Sequence, residues 1–362
     1  MKKIIIYIIA LLVVFNASGQ ESWPSPEAQQ MYNQAKNYLS MGQFQQAIAT
    51  YQQAIQLAPA KMVLYRDLGK AYFLTSNYSD AEKILEPVLK SDEADAQSYQ
   101  IMASCYAASG EKRKARNTLQ SGIERFPSSG LLYHDMGKMY EEENSLVYAL
   151  EFWLDGIQHD PAYHINYYEA ARMYMLTNKP VWAILYAETF LNIERHTQRA
   201  DDTRKMLLDA YTRFFYDVPT GDVPKFGEAK KQQVAATASF EEAVKQTMMR
   251  EAPAIRDGIT PETLTMLRTR FLMDWFAKYA GRYPYKLFSY EDQLTRNGFF
   301  DIYNESLFGK AANPQEFDAW NKFHQGAGAQ LEKWVSDNPL HPANTDFYND
   351  KKVDEIFDKK KN

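Results

Sequence analysis

The chain has 362 residues, 45% of them hydrophobic and 24% charged, with 46 acidic side chains against 41 basic ones. That apolar share excludes a disordered chain, and the mild acidity fits nucleic acid poorly. One cysteine, Cys105, excludes an intramolecular disulfide, so packing must supply the stability of the roughly two domains this length suggests.

The chain opens with "MKKIIIYIIALLVVFNASGQES". Lys2 and Lys3 precede an unbroken apolar run, Ile4 to Phe15, and Ala17-Ser18-Gly19 supplies small residues for cleavage. This is the pattern of a secretory signal peptide over 1–19, cut near Gly19. The run is shorter than the roughly 20 apolar residues a membrane span needs. The expected location is therefore exported, periplasmic or secreted, with no transmembrane span after cleavage and no nucleic-acid partner.

From Ala28 onward the sequence repeats itself every 34 residues without a gap, in copies 28–61, 62–95, 96–129, 130–163 and 164–197. The eighth residue is always small: Ala35, Gly69, Ala103, Gly137, Ala171. The eleventh is always tyrosine: Tyr38, Tyr72, Tyr106, Tyr140, Tyr174. The twentieth is always alanine: Ala47, Ala81, Ala115, Ala149, Ala183. Small residues at these places let two antiparallel helices approach closely, and the tyrosine fills the space beside the contact. The fifteenth residue is Gly42, Ser76, Gly110, Asn144 or Asn178, where the first helix must stop; glycine and asparagine tolerate the left-handed conformation that stops it. Pro59, Pro127 and Pro161 then end the second helix. In the fifth copy Ala187 stands where the others carry Tyr51, Leu85, Leu119 or Trp153, and Phe190 three residues later offers to restore the lost volume.

The pattern resembles the tetratricopeptide repeat (TPR), a helix–turn–helix unit of 34 residues. The resemblance implies an all-α fold, with five repeats stacked in a right-handed superhelix. After the fifth copy the register slips. Ala200–Tyr216 reads as a capping helix with no second helix close against it, since an array needs an atypical end.

Residues 217–238 carry prolines and glycines and read as a linker. Beyond them the repeat is absent, and 239–342 reads as a smaller helical domain followed by a charged tail, 343–362. Ser239 with Glu242 signals a capping box. Thr260-Pro261-Glu262 opens a helix that ends at Gly281, Ser289 with Asp292 opens one running through "NGFFDIYNESLFG", and Asn313-Pro314 opens the last long one. The dense aromatics there, Trp275, Phe276, Phe288, Phe300, Trp320 and Trp334 among them, read as core.

No sequence signature of catalysis, cofactor binding or a metal site is present: no GxSxG, HExxH, Walker loop or CxxC. "QGAGAQ" (Gln325–Gln330) follows no strand, and close packing of its helix explains the glycines. His159, Asp160 and His164 read as a solvated turn rather than a metal site, and Cys105 as a buried inert thiol.

The TPR resemblance implies that the first helices line a concave side, with their fifth, ninth and twelfth residues facing the groove. The fifth are Tyr32, Arg66, Gln100, His134 and Tyr168; the ninth are Lys36, Lys70, Ser104, Lys138 and Arg172. Four of the five ninth residues are basic, a lane suited to an extended peptide with acidic side chains or a free C-terminus. Asp67, Asp135 and Glu169 lie three residues before Lys70, Lys138 and Arg172, close enough to neutralise them instead. The expected function is a non-enzymatic protein–protein interaction scaffold of the cell envelope. Two alternatives stand beside it. One is a glycan or peptidoglycan reader using exposed C-terminal tryptophans. The other is an enzyme in the C-terminal domain, built for instance around Asp292, Asp301 and His324.

Overall fold

The computed structural model describes residues 23–217 and 238–348; the expected signal peptide, linker and most of the charged tail lie outside them. Every regular element among the described residues is helical, and the chain divides into two compact units. One comprises Met1–Ala94 and Ser104–Gly110, the other Asp95–Ala103 and Glu111–Asn362.

In the first unit, α1 (Pro26–Ser40) and α2 (Phe44–Leu57) form one antiparallel pair, and α3 (Met62–Leu74) and α4 (Tyr78–Lys90) the next. The small residues sit where the helices meet. Ala35, Ala47 and Ala54 are fully buried around Tyr51, and a Cβ on Gly69 would lie 2.6 Å from Leu85 Cγ. The turns follow the expected chemistry. Gly42 and Ser76 are left-handed, at φ 72° and 60°. The next amide donates back to the tyrosine carbonyl of the repeat, Gln43 N to Tyr38 O and Asn77 N to Tyr72 O, each at 2.9 Å. These are the bonds that satisfy the orphan carbonyls of a helix end. Gly110, after α5 (Ala96–Ala108), repeats the turn at φ 82°.

The second unit holds α6 (Lys112–Arg125), α7 (Gly130–Glu142), α8 (Leu146–His159), α9 (Ile165–Tyr174), α10 (Pro180–Ile193) and α11 (Gln198–Thr212), the last running into a short π-helical turn, Arg213–Asp217. Asn144 makes the left-handed stop after α7, at φ 57°. Asn178 does not adopt that conformation. The α9 end is closed from elsewhere: the Arg213 guanidinium donates to the carbonyls of Met175 and Thr177, and Thr177 Oγ1 donates to Tyr174 O at 2.7 Å. Carbonyls already satisfied by a side chain need no left-handed turn.

The C-terminal helices are α12 (Phe240–Arg250), α13 (Pro261–Lys278), α14 (Lys286–Arg296), α15 (Phe300–Ala312) and α16 (Pro314–Asp337). They share one continuous core with α8 to α11, running from Ala149 to Leu340 through the buried indoles of Trp153, Trp182 and Trp275. This explains why α10 is buried on every side from Pro180 to Asn192. Phe190, beside Ala187, is fully buried between His164 and Tyr168. The expectation that α11 has no second helix close against it is corrected. α15 covers it, with Tyr211 edge-on to Phe308 at 5.6 Å and Arg204 Nε donating to Ser306 O at 3.0 Å.

Ser239, Thr260 and Asn313 cap α12, α13 and α16 through their side chains, but the capping box expected at Ser239 is only half made, because the Glu242 carboxylate accepts from Gln246 Nε2 at 2.6 Å instead of reaching back. Ser289 does not cap its helix. It lies inside α14, where its hydroxyl donates back to Tyr285 O, and the segment that follows breaks at Gly298, φ 74°, into α15. Gly326 and Gly328 are also corrected: beyond their own stretch of helix backbone nothing lies within 4 Å of a Cβ built on either, so no close helix contact requires them.

Candidate functional site

The first-helix residues form two side-chain clusters, one in each unit. In the first, Asp67 is the hub. Its carboxylate accepts from Tyr32 Oη at 3.1 Å and from Arg66 Nε at 2.8 Å, although Asp67 itself is only 6% exposed. Lys36 stands exposed with its ammonium 5.3 Å from the Tyr32 ring centre, a cation–π approach. Lys70 is half-buried, and the pairing with Asp67 that their spacing allows does not form, because Arg66 and Tyr32 hold that carboxylate. Lys36, Arg66 and Lys70 against Asp67 leave this face basic.

The second cluster is self-neutralised. Arg172 donates to Glu169 at 2.7 Å and to Glu141 at 2.5 Å, and its guanidinium lies 5.7 Å from the Trp153 ring. Lys138 pairs with Glu141 at 2.6 Å, not with Asp135. His134 is held between Asp135, at 2.8 Å from Nδ1, and Glu169, 3.7 Å from Nε2. Burial disfavours the His134 imidazolium, but the bonds to Asp135 and Glu169 outweigh it and raise its pKa. Burial likewise works against the Glu169 and Glu141 carboxylates, yet His134 and Arg172 on one, and Lys138 and Arg172 on the other, hold both below the usual carboxylate range. Tyr168 packs on Phe190 and lies 5.5 Å from the Arg199 guanidinium; Gln100 is half-buried on α5. The residue that converts a basic lane into a balanced patch is Glu141. It occupies the twelfth place of its copy, and that place carried the signal.

Asp292 pairs with Arg296 at 2.7 Å, while His324 Nδ1 lies 2.8 Å from Trp320 O. His164 contacts Glu194 at 2.7 Å and His159 the Asp155 carbonyl at 2.8 Å, and among the described residues no group of three or more His, Cys, Asp and Glu is placed to hold a metal ion. Trp275 is buried and the half-buried Trp334 packs against Tyr290 and Phe299, but the reading of all these aromatics as core is corrected at two places: Phe276 is exposed, and Trp320 is only half-buried, stacked on His324. Cys105 is fully buried, and burial, helped by Glu82, pushes its thiol up to about 12.

A buried polar network escaped the sequence reading. Arg268 on α13 donates to Glu188 on α10, to Glu291 on α14 at 2.8 Å, and to Asn304 on α15. Tyr303 Oη donates to Glu188 at 2.8 Å and accepts from Asn192 at 2.7 Å. Every side chain in it is at most 5% exposed.

Among the described residues no helix is long and apolar enough to cross a membrane. Residues 38–105 and 97–129 match two family models of the tetratricopeptide repeat. Over 103 residues the chain is 29% identical to the human protein O-mannosyl-transferase TMTC2, and over 84 residues 29% identical to human tetratricopeptide repeat protein 8. These alignments cover 28% and 23% of this chain but only 12% and 15% of those proteins. A thermophilic TPR protein of Thermus thermophilus, 13% identical, superposes with a TM-score of 0.42 over 51% of this chain and 99% of its own. The helix pairs, their turn chemistry and the two family matches together make this a chain that carries tetratricopeptide repeats.

Proposed function

We propose that the chain is a non-enzymatic interaction scaffold that takes a protein or an extended peptide on the first helices of its repeats. The observation that carries this is the basic face of the first unit, where Lys36 is exposed and Lys70 is not claimed by the nearest carboxylate. Such a face suits acidic side chains or a terminal carboxylate, because each ammonium can exchange water for a charged acceptor. The second cluster suits a different contact. Arg172 and Lys138 are already paired, so a ligand there must compete with Glu141 and Glu169.

The N-terminal pattern supports a location outside the cytoplasm, in the cell envelope. Edman sequencing of the protein recovered from its periplasmic or secreted fraction checks that: a mature chain starting close to Gln20 supports export with cleavage, and absence of the protein from those fractions with an intact Met1 in the cytoplasm rules it out.

Binding is tested by affinity capture from envelope extract with the processed protein, its K36E/K70E variant and a K138E/R172E variant. Circular dichroism first establishes that both variants are folded. Loss of a captured protein in K36E/K70E alone places the contact on the first unit. Equal capture by all three removes the first-helix faces from the function.

A further inference from the structure

The chain does not end at α16. After Asn338 it turns back as an irregular strap, Leu340 to Tyr348, whose only regular feature is a single 3-10 turn, Asn344–Asp346. The strap crosses a slot between the repeats and α14. Tyr348 fills its aromatic end. The Tyr348 ring stacks on Phe240 at 4.1 Å and 8°, edge-on to Tyr283 at 5.8 Å and 85°. Its hydroxyl donates to Pro284 O at 3.1 Å, and its own backbone carbonyl accepts from Tyr186 Oη at 3.0 Å. The body thus offers an aromatic face, one acceptor and one donor, arranged for a tyrosine in an extended chain.

The strap does not fill this slot completely. Beneath it remains a cavity of about 20 Å³, walled by Ile157, Tyr167, Tyr186 and Thr189 on the repeat side and by Leu340 and Phe347 on the strap side. That is room for about one water molecule. Phe347 and Tyr348 are only half-buried, while His341, Asn344 and Thr345 are exposed. Apart from Leu340 and the Tyr348 ring the strap lies at the surface, and its one 3-10 turn is its sole regular element; an irregular, half-buried segment of this kind opens before the helical core does.

We propose that the strap is a displaceable occupant in cis, and that the slot beneath it is a second binding site, for an extended partner segment carrying a tyrosine. The site lies within the second unit, uses none of the lysines of the proposed scaffold face, and does not depend on that reading. A tethered occupant competes at an effective concentration in the millimolar range. A free ligand therefore binds the intact chain weakly, in proportion to the small fraction of molecules with the strap lifted.

The probe is a fluorescent peptide with the sequence of residues 338–348, titrated by polarisation against the full chain. Tyr348→Ala removes the ring but leaves the chain intact. It is expected to bind the peptide at least about tenfold more tightly than the wild type does, because the slot is vacated. A peptide with alanine at its terminal tyrosine should lose that binding, and Tyr186→Phe in the Tyr348→Ala background should weaken it. Equal affinity for wild type and Tyr348→Ala, or no binding to a folded Tyr348→Ala chain, overturns the proposal. Hydrogen exchange of the wild type decides independently of any variant: strap amides should exchange far faster than those of α10. Protection equal to that of α10 makes the strap part of the core and ends the idea.

Discussion

Arg268 sits where α10, α13, α14 and α15 meet, with its side chain 3% exposed and its carboxylate partners Glu188 and Glu291 at 2% and 4%. Two carboxyls face one guanidinium, so with both ionised the core would hold an unbalanced negative charge. Burial and the neighbouring Glu188 raise the Glu291 pKa well above the ordinary carboxylate value, which favours a proton on this carboxyl. Replacing Arg268 with methionine keeps most of the stem volume and removes the charge. The loss comprises hydrogen bonds to two carboxyls and to Asn304, and the residual buried charge has no partner. Breaking a buried ion pair from one side costs about 3–5 kcal/mol. Glu291→Gln, in contrast, imitates the protonated carboxyl and should cost less than about 1 kcal/mol at neutral pH. Urea unfolding followed by tryptophan fluorescence reads the right region: of the 6 tryptophans, all but Trp23 lie in the unit that contains Arg268. The pH dependence supplies the second check. A carboxyl whose folded pKa is raised contributes stability that is complete below its unfolded pKa and fades as pH rises through the folded one. Wild type should therefore lose stability as pH climbs above the ordinary carboxylate range, and Glu291→Gln should lose less. An Arg268→Met cost under about 1 kcal/mol would refute the reasoning, as would a Glu291→Gln cost equal to that of Arg268→Met.

Gly137→Ala places a methyl carbon 2.7 Å from Trp153 Cδ1 in a fully buried contact, and should destabilise the second unit by about 1–3 kcal/mol in the same urea assay. Ser76→Gly relieves a left-handed residue at φ 60° and should raise the stability of the first unit by up to about 1 kcal/mol, seen as a shift in its thermal midpoint by circular dichroism. His134, protonated more readily than an ordinary histidine through Asp135 and Glu169, should titrate above the usual range by NMR; Asp135→Asn should lower that midpoint. The sign of the coupling follows: this imidazolium stabilises the fold below its unfolded pKa, and the contribution is lost as pH rises through the raised value.

The repeats were legible because their physics is local and periodic. A small residue, a tyrosine, a left-handed stop and a proline recur at fixed offsets, and each governs only its own helix pair. Where the repeat offset failed, a distant residue had taken over the task. Asn178 is not left-handed because Arg213 closes the α9 end from outside the repeat, and no reading of one copy reveals that. Ser289 fails for a local reason instead. Its spacing to Asp292 is that of a cap, yet Pro284 and Tyr285 place the helix start four residues earlier.

The face of the first helices was legible only in part. The fifth and ninth places identify the cations, but charge is a property of a surface, and Glu141 enters from the twelfth place to engage Lys138 and Arg172 together. The Arg268 network lay wholly out of reach. Its charged members sit 80 and 23 residues apart in sequence, and each taken alone resembles an ordinary charged residue on a helix face. Only the packing of α13, α14 and α15 onto α10 removes water from them and turns three solvated charges into one proton-linked lock. That lock joins the last repeat to the C-terminal helices through Glu188, and α10 also carries the Tyr186 hydroxyl that holds the strap. A charge change there should reach both the docking of these helices and the fit of Tyr348, and urea titration of Arg268→Met alongside strap hydrogen exchange measures the two together.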